Sequence, residues 1–130
     1  MRNTNWHRKT ETDAFGRSGS VLLSADGRWK ITDENRISPE YLYELQEIEK
    51  GQWTRRAAAN TIEQLKRVKN AVDIFDQLKN EGFNIGYVTE RCQIVVAHDT
   101  KEVPRETIDA IAALNREVTA ILIHVIESRE

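Results

Sequence analysis

Between Ile62 and Leu78 the apolar residues Ile62, Leu65, Val68, Val72, Phe75 and Leu78 recur at intervals of three and four, and Gly82 follows four residues after the last of them. Such spacing puts one continuous apolar stripe along a helix. A glycine just beyond the stripe supplies the left-handed residue that ends a helix, with Phe83 available to pack back on the final turn. The helix is expected to run from near Thr54 to Glu81. A single stripe has to be buried against something, so the rest of the chain is read for elements that present an apolar face.

On the N-terminal side, Asp26-Gly27 flanked by strand-like residues signals a hairpin. A two-residue type I′ turn there pairs Ser24 with Trp29 and Leu22 with Ile31, and places Leu22, Trp29 and Ile31 on one face. Trp6 suggests a preceding strand, interrupted before the hairpin by Gly16 to Gly19. Ser38-Pro39 reads as a helix start, Ser38 as N-cap and Pro39 in the first helical position, with Tyr41, Leu42, Leu45 and Ile48 at helical spacing and Gly51 as the stop. Beyond the long helix, Phe83 to Val96 reads as a second hairpin turning near Glu90 and Arg91. Tyr87 then faces Ile94 and Ile85 faces Val96, so that Phe83, Ile85, Tyr87, Cys92, Ile94 and Val96 share one face. Pro104 opens a final helix carrying Ile108, Ile111, Leu114, Val118, Ile121, Leu122 and Val125, about 35 Å long at roughly 1.5 Å per residue. The expected fold class is α+β: an N-terminal β-hairpin region over 1–37, a linking helix over 38–51, then a helix, hairpin, helix module over 52–130 sharing one core with the rest.

A chain of 130 residues is long enough to bury such a core, and its nine aromatic residues supply packing anchors. The formal charge of -2 excludes a protein that grips nucleic acid by overall basicity. One cysteine, Cys92, makes no internal disulfide. The most apolar run, Ala120 to Ile126, is too short to span a bilayer, and Met1 to Thr10 lacks the apolar core of a secretion signal. The expected location is the cytoplasm of the host cell, with no membrane partner.

Catalytic motifs are missing. His7, His98, His124 and Cys92 are the only soft metal ligands and no two stand at a ligand spacing, so neither metal nor cofactor is expected. His98-Asp99 is the one acid and base pair, without a nucleophile or an oxyanion partner, and reads better as a polar loop. The phosphate-binding loop, the dinucleotide glycine fingerprint and the nucleophile elbow do not occur, and no enzyme is expected.

What remains is surface for contact. Asp33, Glu34, Glu40, Glu44, Glu47 and Glu49 gather negative charge around the first helix, a surface suited to imitating a phosphate backbone or filling a basic groove. Arg55, Arg56, Lys66, Arg67 and Lys69 form an opposing basic patch beside Trp53. Two uses of it stay open: nucleic-acid binding as the alternative function, or ion pairs with the acidic helix. The last helix is apolar nearly all round over Ala120 to Ile126, and a second copy is its expected cover through Ile111, Leu114, Val118, Ile121, Leu122 and Val125. The expected contacts with a partner protein are Glu40, Glu44 and Glu47 on the acidic helix and Tyr87, Arg91 and Gln93 on the second hairpin.

The stretch FDQLKNEGFNIGYVTERCQIVVA followed by VPRETIDAIAALNREVTAILI resembles the N-terminal docking domain of TubC-type peptide and polyketide synthetases. Leu78 and Gly82 match its Leu-x-x-x-Gly helix end, Ile85 and Ile94 to Val96 its alternating hairpin, and Pro104, Ile108, Ile111, Glu117, Ile121 and Leu122 its closing helix. Asn115 replaces a frequent lysine and Thr119 an aliphatic residue, so partner specificity does not carry over. The resemblance implies dimerisation or peptide docking along the hairpin edge. In size and style the chain also looks like a phage or mobile-element accessory protein, a class that includes inhibitors of host CRISPR nucleases. The expected function is therefore stoichiometric docking on a partner protein, possible inhibition of a host defence nuclease included.

Overall fold

The computed structural model describes residues 6–12, 15–16, 18–33 and 43–129. The chain divides into two compact units, Met1–Leu65 and Lys66–Glu130.

The first unit is a five-stranded antiparallel sheet. Its strands are β1 (Trp6–Thr12), β2 (Ser18–Ser24), β3 (Trp29–Asp33), β4 (Tyr43–Glu49) and β5 (Gln52–Ala59), and they lie side by side in chain order. This overturns the expected layout of a hairpin followed by a linking helix. The segment 43–49 is strand, and the segment 52–59, assigned to the start of the long helix, is strand as well. The Ser38-Pro39 helix start, with Tyr41 and Leu42, falls outside the described residues.

Two rows of side chains explain why these residues make a sheet. Leu22, Ile31, Leu45 and Ala57 stand opposite one another on four successive strands, and all are buried. One residue along, on the other face, Leu23, Lys30, Gln46 and Arg55 form a second row, mostly polar. The period of two is that of a sheet with one apolar face. Ala57 and Ala59 prefer helix intrinsically, but their small side chains are buried in the apolar face, and tertiary context overrides propensity.

The turns are exchanged relative to expectation. Leu22 pairs with Ile31 as predicted, yet Asp26 is not left-handed, so the turn is not type I′. It closes instead through the Gly27 amide donating to the Ser24 carbonyl at 2.9 Å, while Ser24 Oγ accepts from the Trp29 amide at 3.0 Å. The type I′ turn lies at Lys50-Gly51, whose φ values of 52° and 79° join Glu49 to Gln52 in a two-residue loop. Gly51 ends no helix; it turns a hairpin.

The second unit takes most of helix α1 (Ile62–Asn80), then strands β6 (Asn84–Val88) and β7 (Gln93–Ala97), and helices α2 (Arg105–Ala112) and α3 (Arg116–Arg129). Helix α1 starts eight residues later than expected because Thr61 caps it: its Oγ1 accepts from the Gln64 amide at 3.2 Å. It ends as the sequence predicts. Gly82 is left-handed at φ 93°, its amide donates to the Lys79 carbonyl at 3.0 Å, and the Phe83 amide donates to the Leu78 carbonyl at 3.0 Å. Phe83 is buried.

Strands β6 and β7 form a separate two-stranded ribbon in which Tyr87 faces Ile94 and Ile85 faces Val96, the predicted pairs. The loop between them is a 3-10 turn over Thr89–Arg91 closed by Cys92 in the left-handed region, longer than a two-residue turn. The single last helix is corrected to two. Asn115 interrupts it, and its Oδ1 accepts from the Val118 amide at 2.8 Å to cap α3. Among the described residues no helix is long and apolar enough to cross a membrane.

Candidate interaction surfaces

Two carboxylates of the acidic surface predicted for a helix lie instead in the sheet, shielded from water. Glu44 and Glu47 stand on β4, both buried. Arg55 Nε lies 3.3 Å from Glu44 Oε2, and Arg56 Nε lies 3.0 Å from Glu47 Oε1. Arg56 Nη2 also reaches Glu49 Oε2 at 2.9 Å. A β-bulge makes this possible: Leu45 pairs with Ala57 but Gln46 with Arg55, so Arg56 is the extra residue on β5. The bulge turns Arg56 toward the side of the sheet that carries Glu47. These carboxylates are therefore not a free docking face, and Glu40 falls outside the described residues.

The predicted basic patch separates in the same way. Arg55 and Arg56 are strand residues whose guanidinium groups pair with Glu44 and Glu47 on β4. On α1, Lys69 is buried to 2% exposure with Nζ 2.6 Å from Asp73 Oδ2 one turn on. Lys66 is half-buried and Arg67 exposed. A charge as deeply buried as Lys69 is held by its partner and is not offered to a phosphate.

On the face that carries Glu44 and Arg55, Lys30 Nζ lies 3.0 Å from Glu11 Oε1 and 4.5 Å from the centre of the Trp53 ring. Trp53, expected as a stacking platform, already carries a cation on its ring.

The last helices offer less apolar surface than the sequence suggested. Val118, Leu122 and Val125 are fully buried within the chain, leaving them nothing to present to a second copy. Ile111, Leu114 and Ile121 are half-buried. The six do not form one exposed dimer face: three of them, all on α3, are buried, whereas Ile108 on α2, outside the six, is half exposed. His124 is on the exposed side of α3.

His98 turns its Nδ1 to the backbone of the following loop. His98 Nδ1 accepts from the Thr100 amide at 3.0 Å and from the Lys101 amide at 2.9 Å, and its ring packs on Phe83 with centroids 4.9 Å apart. The imidazole shapes the loop after β7. Cys92 Sγ donates toward the Arg116 carbonyl at 3.4 Å and ties the ribbon turn to the start of α3.

Among the described residues, β6 and β7 of the ribbon are edge strands, as are β1 and β5 of the larger sheet. Arg91 and Gln93 are exposed and Tyr87 half-buried. Neither β6 nor β7 contains a charged residue. The outer strands of the larger sheet differ: β1 exposes Arg8 and Lys9, and β5 carries Arg55, Arg56 and the bulge. Charges and bulges on an edge strand discourage a further strand from pairing there. The ribbon lacks both devices. On its outer side Val95 is 44% exposed, opposite Gly86, where a side chain would meet nothing. Sequence reasoning picked out this hairpin but not Val95, whose signal was an aliphatic residue on the face opposite Ile94 and Val96.

The chain matches no protein-family model, and no curated protein and no solved structure shows significant similarity to it.

Proposed function

We propose that this protein acts by stoichiometric docking, adding an extended segment of a partner protein to the edge of the β6–β7 ribbon. The observation that carries the reading is the contrast between edges: the larger sheet guards its outer strands with charge and a bulge, and the ribbon does not. In strand addition the main-chain hydrogen bonds supply affinity and alternate side chains supply selectivity. Val95, Gln93 and Ala97 are the exposed alternate side chains of β7. The resemblance of the segment from Leu78 through the last helix to a docking module supports the same surface.

The test is capture with tagged protein, comparing wild type with Val95→Lys and Arg8→Ala. Val95 is half exposed, so lysine is accommodated while installing the charge that edge strands use against pairing. A protein held in one-to-one ratio by wild type and Arg8→Ala, and lost by Val95→Lys, is the expected result. Equal retention by Val95→Lys refutes the edge.

A further inference from the structure

We infer that the β1–β2 hairpin is an arm for duplex DNA: Phe15 at its tip wedges into the base stack while Arg8 and Lys9 hold the phosphates at the rim of the groove. The arm uses other elements than the ribbon edge of the proposed function and stands or falls separately. Strand β2 pairs with β3 only at Leu22–Ile31 and Leu23–Lys30, whereas β1 and β2 continue through Lys9–Val21, Thr10–Ser20 and Glu11–Gly19 to Thr12–Ser18. The continuation is slim, since Thr10, Thr12, Gly19 and Ser20 are small, and all four are exposed. Lys30 Nζ, 3.0 Å from Glu11 Oε1, fastens it to β3. Directly after Phe15 the chain turns at Gly16, left-handed at φ 77°. Phe15 is 84% exposed, more than any other large apolar side chain described.

Charge selects the occupant. Glu11 is the only carboxylate on β1 and β2, and Lys30 answers it. Arg8 and Lys9 are exposed and meet no carboxylate among the described residues. Arg8 Nη1 donates to Ser20 Oγ at 3.2 Å, which orients the guanidinium and leaves further donors for an anion. In the sequence of the loop Asp13 and Arg17 offset one another, so the surplus on the arm is positive. A polyanion with flat apolar groups between its charges matches a basic arm that ends in a bare aromatic ring.

The placement of the two cations favours a duplex over a single strand. Arg8 and Lys9 are neighbours on one strand and point to opposite faces of the hairpin. A groove has a phosphate wall on each side, so both faces meet phosphates. Arg8 and Lys9 stand four and three residues before Thr12, about 13 and 10 Å at roughly 3.3 Å per residue, and a groove is about 8 Å deep. With the tip among the bases, the cations stay level with the backbones. Phenylalanine is among the side chains that wedge between base steps, and a hydroxyl such as that of Thr10 suits a phosphate oxygen.

The experiment titrates the full chain onto a labelled duplex of about 20 base pairs carrying 2-aminopurine, from about 50 mM salt upward. Anisotropy reads binding and 2-aminopurine emission reads unstacking. Wild type is expected to bind with a Kd below about 100 μM and to raise the emission. Phe15→Ala is expected to weaken binding about tenfold at an unchanged salt slope and to abolish the rise, and Phe15→Trp to restore both. Arg8→Gln with Lys9→Gln is expected to lower the slope of log affinity against log salt by about 2. All three positions are exposed, so these variants leave the fold intact. A duplex left unbound by wild type, Phe15→Ala binding as tightly as wild type, or tighter binding to either constituent single strand overturns the inference. Vesicles with about one-third phosphatidylserine are titrated beside the duplex. Binding to them through Phe15, with the duplex left unbound, assigns the tip to a membrane surface and overturns the inference as well.

Discussion

Arg56 Nε stands 3.0 Å from Glu47 Oε1, and the two side chains are 6% and 5% exposed, which makes theirs the most deeply buried ion pair of the sheet among the described residues. Removing one member leaves the other charged in a place poor in water. Glu47→Ala is expected to lower stability by about 3 kcal/mol, toward the lower end for a broken buried pair because Glu49 still reaches Arg56. Glu47→Leu combined with Arg56→Met is expected to recover most of that loss, since a matched apolar pair needs no compensation. Urea midpoints of the single and double variants measure both; a Glu47→Ala loss below about 1 kcal/mol would count against the account.

The Lys50-Gly51 turn is open to improvement. Both residues are left-handed, and asparagine tolerates that conformation better than lysine. Lys50→Asn is expected to raise the thermal midpoint by a few degrees, while Gly51→Ala costs about 1–2 kcal/mol through steric strain at φ 79°.

Lys69 and Asp73 form an unequal pair. Lys69 is 2% exposed and Asp73 24%, so the cost of removal depends on which member goes. Asp73→Ala removes the carboxylate that stands 2.6 Å from a buried ammonium and is expected to cost up to about 3 kcal/mol. Lys69→Met leaves a carboxylate that water still reaches, and is expected to cost clearly less. Calorimetry that ranked the two the other way would show that Asp73 is not the main partner of Lys69.

Asn115 divides the last helical segment. Asn115→Ala removes the acceptor of the Val118 amide and is expected to cost about 1 kcal/mol, whereas Asn115→Asp retains the cap. Amide exchange at Val118 reports the difference directly.

Helix α1 was legible because its six apolar residues repeat without interruption and Gly82 with Phe83 writes its end. The β6–β7 register was legible because alternation in Ile85, Tyr87, Ile94 and Val96 permits one pairing. Strand β4 was not. Leu45 and Ile48 are three apart and suit a helix, although in the sheet they lie on opposite faces, and a glutamate-rich run looks solvated when its partners are not yet known. The correcting signal was present in Lys50-Gly51 between Ile48 and Trp53, a two-residue loop between apolar residues, but Gly51 reads equally well as a helix stop. Arg55 and Arg56 followed the same error: as helix residues they made a basic patch, and as strand residues they answer Glu44 and Glu47. Thr61 and Asn115 show how a single capping side chain fixes a boundary that periodicity passes over.

The order of the large sheet, each strand beside its neighbour in sequence, bears on how the chain reaches it. Among sheets, a meander keeps contacting residues comparatively near in sequence, so little loop entropy is lost before contacts form. The β4–β5 hairpin, closed by two residues, is the cheapest pair to make and the natural template for β3 and then β2. If that hairpin forms first, its carboxylates meet their arginine partners before the rest of the sheet shuts them away from water.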